Sequence, residues 1–117
     1  MSDPNQADLN SILSELRDTN KDKRRTAVMK LGMLGGSDAI RALIRTLENE
    51  YEDLIVLGRA AMMLGKMGDR IAVAPLIRAL EAPGYQTPLF AVEALGRLGD
   101  ARAIPRLVDI AENSKDR

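Results

Sequence analysis

A short glycine-containing motif occurs three times in the chain at nearly constant spacing. Residues 31–35, 64–68 and 95–99 share the pattern Leu-Gly-x-Leu/Met-Gly, with offsets of 33 and then 31 residues. Repetition at a period of about 20 to 50 residues is typical of stacked structural units, each of which completes its core only against its neighbours. This motif therefore constrains the possible folds more than any other feature of the chain.

Apolar positions on both sides of the motif repeat in the same register. Within the first unit, Ile40, Leu43, Ile44 and Leu47 follow the spacing i, i+3, i+4, i+7 that indicates an amphipathic helix. The aligned columns hold small or aliphatic side chains throughout: Ala27, Ala60, Ala91; Ala39, Ala72, Ala103; Ile40, Val73, Ile104; Leu43, Leu76, Leu107; Ile44, Ile77, Val108; and Leu47, Leu80, Ala111.

These columns predict two helices in each unit. The glycine that closes each motif, such as Gly68, lies where glycine commonly ends a helix, and Asp69 or Asp100 follows it and can cap the next turn. Pro75 and Pro105 lie near the starts of the second helices, which we therefore expect to begin irregularly. The predicted helices are a leading one at 6–18 and pairs at 21–34 and 38–48, 52–67 and 71–81, and 86–98 and 102–113.

The predicted fold class is all-α, an α-solenoid of three helical hairpins preceded by one capping helix. We expect residues 1–20 to form the capping helix with a flexible start, and residues 21–113 to form three repeats at about 21–49, 51–82 and 84–113. Residues 114–117 are predicted to be a frayed tail.

Composition argues against several classes of function. The 117 residues include 17 basic and 17 acidic side chains, so no net charge attracts nucleic acid or an anionic membrane. Cysteine and histidine are absent, which removes thiolate chemistry and the commonest metal ligand and general base. We expect no cofactor, no metal, no catalytic residue, no nucleic-acid or membrane partner, and a cytoplasmic location; whether the chain is an enzyme stays open, with the balance against it.

The second and third units carry a family resemblance. The pattern that starts at Ala60, passes through Leu64-Gly65, Gly68-Asp69 and Ala72-Val73 and ends at Leu80 resembles the HEAT-like repeat of the phycobilin lyase type. Residues 99–105 fit the same signature, and the resemblance covers about residues 21–112. It implies the helical-hairpin fold, and it implies roles that range from adaptors and assembly factors to subunits that attach, isomerise or remove bilins.

Repeats of this type usually carry an arginine six residues before the Leu-Gly pair. Arg25 occupies that position in the first unit, whereas Gly58 and Leu89 replace it in the second and third. The resemblance therefore implies the usual polar contact between repeats at Arg25, and it does not extend that contact to repeats two and three.

The second helices present a ladder of charged residues. Two repeating columns on the predicted exposed face hold Arg45, Arg78 and Asp109, and then Glu48, Glu81 and Glu112. Arg41, four residues before Arg45, is included with them. One interpretation is a polar groove that recognises a partner. The other is a solvated surface with Arg–Glu pairs three residues apart in each helix, which contribute only a few tenths of a kcal/mol each.

The helix around residues 54–64 has more apolar side chains than one buried face requires. Leu54, Ile55, Met62 and Met63 are candidates for an exposed patch that contacts a partner, since methionine adapts to varied surfaces. The alternative is deeper burial, because this repeat has neighbours on both sides. Gly58 either permits close helix packing or merely weakens the helix.

Two further surfaces complete the candidates. Lys66 and Arg97 occupy equivalent positions. Their positive charge indicates either a site for an acidic partner or a surface that keeps the chain soluble. Leu107 and Ala111 lie where the last repeat has an open end, which predicts a possible homo-oligomer. The sequence thus predicts a non-enzymatic protein-interaction module, an adaptor or assembly factor; the alternative is an accessory subunit for phycobilin attachment, isomerisation or removal on phycobiliproteins.

Overall fold

The computed structural model describes residues 4–113, and all regular secondary structure in that range is helical. Helices α2 and α6 begin and end at the predicted residues, and the others differ from the predicted bounds by a few residues. The helices are α1 (Pro4–Leu16), α2 (Lys21–Leu34), α3 (Ser37–Leu47), α4 (Leu54–Met67), α5 (Val73–Ala79), α6 (Gln86–Leu98) and α7 (Ile104–Asn113). The all-α solenoid is confirmed; the tail predicted at 114–117 lies outside the described residues.

The repeated glycines end the first helix of each pair. Gly35, Gly68 and Gly99 have φ values of 77°, 73° and 62°, a left-handed region that side chains with a Cβ rarely adopt. After Gly68, the Asp69 carboxylate accepts a hydrogen bond from the Ile71 amide, as its capping role predicts. These residues give each hairpin its sharp turn.

The second helices of repeats two and three begin irregularly, as their prolines predict. A 3₁₀ turn at Arg70–Ala72 precedes α5, and another at Ala101–Ala103 precedes α7. Proline lacks an amide hydrogen and is tolerated only in about the first helical turn. The short turn before each proline lets the chain enter the helix without losing an interior hydrogen bond.

Successive first helices pack closely because glycine faces the next helix. A Cβ added to Gly65 would lie 2.6 Å from the Cβ and 2.7 Å from the Cα of Ala94 on α6. A Cβ added to Gly32 would lie 2.8 Å from the Cβ of Met63 on α4. The second position of the repeated motif is therefore the point where α2, α4 and α6 approach one another.

Helix α1 covers the start of the array. Leu9 is buried, and Ile12, Leu13 and Leu16 pack against the common core. That core continues through all three helix pairs, and its largest fully buried side chains are aliphatic: Leu31, Leu43, Leu64, Leu76 and Leu95, with Val28, Val56 and Val73. The molecule is elongated, with extents of 56 × 28 × 15 Å, as stacked hairpins require.

Candidate protein-binding surfaces

Two arginine–carboxylate pairs join repeats one and two. Arg25 donates from Nε to Asp53 Oδ2 at 2.8 Å and from Nη2 to Asp53 Oδ1 at 2.9 Å. Arg24 binds Glu52 in the same way, with 3.1 and 3.2 Å from Nε and 3.0 Å from Nη2. Bidentate pairs of this geometry fix the position of both side chains. The polar contact that the resemblance predicted from Arg25 is present.

Asp53 has two structural roles at this junction. Besides binding Arg25, its carboxylate accepts a hydrogen bond from the Val56 amide and caps the start of α4. The hydrogen bonds from Arg25 lower the pKa of Asp53 to about 2, against a smaller opposing effect of burial. The same pairing raises the pKa of Arg25 above its ordinary value. We therefore assign both residues a structural role at the junction between repeats one and two.

The junction between repeats two and three is apolar instead. Gly58 is buried at the column that Arg25 occupies in repeat one, and a Cβ added there would lie 3.2 Å from Cδ2 of Phe90. Of the two interpretations of Gly58, close helix packing is the one observed. The phenyl ring of Phe90 takes the place of the arginine–carboxylate pair.

The charged ladder pairs between consecutive second helices. Arg78 on α5 donates to Glu48, at the end of α3, with 2.7 Å between Nη2 and Oε2. Arg106 on α7 binds Glu81, at the end of α5, and also Asp109 in its own helix. The interpretation in which Arg78 pairs with Glu81, three residues on in the same helix, does not hold, because Arg78 binds Glu48 instead. Arginine spans the wider gap between neighbouring helices, and sequence reasoning missed Arg106 because its column holds proline in repeat two.

Arg45 differs from the other ladder arginines. It is exposed, and among residues 4–113 it has no ion-pair partner. Near Arg45 the neighbouring helix is α1, and Arg17, just after its last residue, lines the same cavity. Glu48 after α3 and Glu81 after α5 instead pair with an arginine of the next second helix. Arg17 is likewise exposed and unpaired within the described chain.

Arg17 and Arg45 line one cavity of about 430 Å³ between α1 and α3. We call this cavity the arginine groove, and its complete lining is Leu13, Leu16, Arg17, Ala42, Arg45, Thr46, Asn49 and Glu52. Leu13, Leu16 and Ala42 give it an apolar wall. Glu52 is already bound to Arg24, so the two unpaired guanidinium groups are the available charges.

The remaining ladder residues lie on the exposed surface without forming a site of their own. Arg41 contacts Asp38 three residues earlier, at 3.6 Å between Nη1 and Oδ1. Glu112 is exposed near the end of α7 and has no partner within the described residues. Ion pairs of such exposure contribute little to stability. The arginine groove differs from these exposed contacts because two unpaired guanidinium groups line the same cavity.

The predicted apolar patch on α4 is largely buried. For Met63 the alternative interpretation, deeper burial, is the one observed: it is only 5% exposed because it packs over Gly32. Leu54 is 46% exposed, whereas Ile55 and Met62 are half-buried, and Met62 packs against the core. Burial between two neighbouring repeats therefore uses most of the surplus apolar surface of this helix.

The other candidates remain exposed. Lys66 and Arg97 lie on the surface, and neither has an ion-pair partner within the described range. Tyr51 and Tyr85 are exposed on the loops between repeats. In the part of the chain that the structure describes, His, Cys, Asp and Glu form no group that could hold a metal ion. None of the helices described is long and apolar enough to cross a membrane.

Paired helices with glycine-mediated contacts and a continuous aliphatic core define a helical-repeat protein. The sequence profile of HEAT repeats matches residues 9–88 and again residues 52–117, so the chain belongs to the HEAT-repeat family. The described helices agree with that assignment throughout.

A solved structure is similar to most of this chain. It is the complex of CpcE and CpcF of phycocyanin lyase from Nostoc sp. PCC7120, with a TM-score of 0.78 and 31% sequence identity. The similarity covers 87% of this chain and 41% of that one, so the chain spans less than half the length of this relative. The resemblance to the HEAT-like repeat of the phycobilin lyase type is confirmed. No match was found among curated proteins.

Proposed function

We propose that this chain is a non-enzymatic protein-binding module, an adaptor or assembly factor. The observation that carries the proposal is the arginine groove, where Arg17 and Arg45 face one cavity without a carboxylate of their own. Guanidinium groups bind carboxylates through two parallel hydrogen bonds, and the apolar wall suits an aliphatic or aromatic neighbour. The partner we expect is therefore a protein segment in which acidic and apolar residues lie next to each other.

The second-helix surface supports this role more than catalysis. Two of its other arginines, Arg78 and Arg106, are held in ion pairs between neighbouring second helices. A rigid scaffold that presents a small unpaired site is what a binding module requires.

Affinity capture with matched variants tests the proposal. The immobilised wild-type chain, the groove variant R17E/R45E and the control K66E/R70E are exposed to lysate of the source organism, and bound proteins are identified by mass spectrometry. The control makes the same change in net charge at exposed cations outside the groove. We expect a partner that wild type and control retain and that the groove variant loses. No reproducible partner, or equal capture by all three chains, would contradict the proposal.

A second candidate is an accessory subunit for phycobilin attachment, isomerisation or removal on phycobiliproteins. The similarity to a phycocyanin lyase complex favours it. A bilin titration followed by absorbance decides between the two. An absorbance change on addition of this chain, alone or with a phycobiliprotein, would support the accessory role, and an unchanged spectrum in both cases would exclude it.

A further inference from the structure

Helix α6 has one face that packs on α4 and an opposite face that nothing in the described chain covers. Val92 belongs to that opposite face and is 37% exposed, whereas Val28 and Ala61, its equivalents in repeats one and two, are fully buried. Gly96 is equivalent to Gly32 and Gly65, but a Cβ added at Gly96 would meet no atom within 4 Å. The face that receives the next repeat twice in this molecule is unoccupied the third time.

The uncovered surface continues onto α7. Ile104 is 56% exposed, whereas its equivalents Ile40 and Val73 are 8% and 0% exposed. Leu89 and Val108 are also exposed large aliphatic side chains at this end. We call this surface, defined by Leu89, Val92, Gly96, Ile104 and Val108, the terminal face. It retains the chemistry of a repeat interface.

Among the residues that the structure describes, the opposite end has no comparable aliphatic surface. Helix α1 covers α2 there, and the side chains that α1 presents to solvent are polar or charged, among them Asp8, Asn10, Ser11 and Ser14. A head-to-tail array would need an apolar surface at both ends. One apolar end instead favours a closed pair related by a two-fold axis.

The charges of the terminal face complement a copy of themselves. Glu93 and Arg97 lie one helical turn apart on α6, both exposed and neither paired with another described residue. If two α6 helices cross antiparallel near residues 94 and 95, Glu93 of each copy meets Arg97 of the other, and Val92 lies over Gly96. We propose that this face binds the same face of a second copy, forming a two-fold dimer built on α6.

This dimer goes beyond the proposed binding function and does not depend on the arginine groove, which lies at the other end of the chain. Zero net charge removes long-range repulsion between the copies. The glycine allows the two backbones to approach as closely as α4 and α6 do at Gly65.

Sedimentation equilibrium of the full chain tests the proposal from about 1 μM to about 1 mM, because dimer formation follows mass action. We expect a monomer–dimer equilibrium for wild type. V92E buries an unpaired carboxylate of each copy in the apolar part of the interface and should raise the dissociation constant at least about tenfold. The matched control is I71E, which also replaces an exposed β-branched residue but lies outside the terminal face.

A charge exchange checks the orientation. E93R and R97E should each weaken the dimer, and E93R/R97E should restore it, because the double variant reproduces both pairs in reverse. The sequence has no cysteine, so the double variant E93C/R97C can report proximity by forming a disulfide between position 93 of one copy and position 97 of the other under mild oxidation.

Three results would overturn the proposal. One is a strict monomer up to the highest concentration, which would leave the terminal face to a different chain. Another is an open series of larger oligomers. The third is a dimer that V92E weakens no more than I71E does, or that the charge exchange fails to restore.

Discussion

At the scale of single residues, one glycine column determines how closely successive repeats approach. Gly65 allows α4 to contact the backbone of α6 at Ala94, while Gly96, in the same column, faces open space. Both are helical, so both also carry the entropic cost of glycine in a helix. The same substitution should therefore have opposite effects at the two positions.

We predict that G65A destabilises the chain and G96A does not. The added methyl of G65A would force α4 and α6 apart, costing about 2 kcal/mol or more of unfolding free energy. G96A should stabilise the monomer by up to about 1 kcal/mol, since alanine is the better helix former. Urea denaturation at low protein concentration measures both, and equal effects at the two sites would contradict the packing described here.

Asp53 is the residue whose protonation links stability to pH. Its pKa is about 2 in the folded chain and about 3.9 when unfolded, so the folded state favours the carboxylate. The contribution is complete above about pH 4 and is lost as the pH falls towards 2. We expect it to amount to about 1–2 kcal/mol, allowing for partial solvent screening.

The control is D53N, because asparagine caps a helix as well as aspartate but does not titrate. Wild type should lose more stability than D53N between about pH 5 and about pH 2.5. Urea denaturation at both pH values gives the difference, and parallel losses in the two chains would show that Asp53 is not the source.

At the scale of helices, the first and second layers are joined by different forces. The first helices pack through glycine and apolar side chains, whereas Arg78 bridges to Glu48 and Arg106 to Glu81 between the second helices. Arg78 and Glu48 are both well exposed, so their pair is screened by solvent.

We predict that E48Q changes the unfolding free energy by less than about 1 kcal/mol. Stability in this array comes mainly from the apolar core that both layers of helices share, and the exposed ion pair adds little to it. Thermal unfolding monitored by circular dichroism checks this. A loss as large as that of G65A would mean that the second-helix pairs hold the array together.

Helix positions were predictable from the sequence because they depend on local patterns. Each signal lies within a single repeat: the aliphatic spacing after Ala39 predicts a helix, the closing glycines its end, and Pro75 an irregular start. The side-chain contacts between helices were mostly not predictable from the sequence, because they depend on which helix faces meet in the folded array. The sequence left Met63 open between exposure and burial because its contact at Gly32 lies in another repeat. It left the partner of Arg78 open because two glutamates are within reach of its long side chain.

At the scale of the whole molecule, the two ends are chemically different. The first end is covered by α1 and carries the arginine groove, and the other presents the exposed aliphatic terminal face. The two proposals use separate ends, so a second copy on α6 leaves the groove free for a different protein. Such a pair would present two grooves, which can raise the overall avidity for a multivalent partner.

The salt dependence of partner binding tests the central claim of a protein-binding groove most directly. Calorimetric titration of the captured partner into wild type, R17E/R45E and K66E/R70E, at ionic strengths from about 0.05 M to about 0.5 M, separates charge from apolar contact. We predict that binding to wild type and the control weakens as salt rises, and that the groove variant binds at least about tenfold more weakly at low salt. Salt-independent binding of equal strength to all three chains would contradict the account.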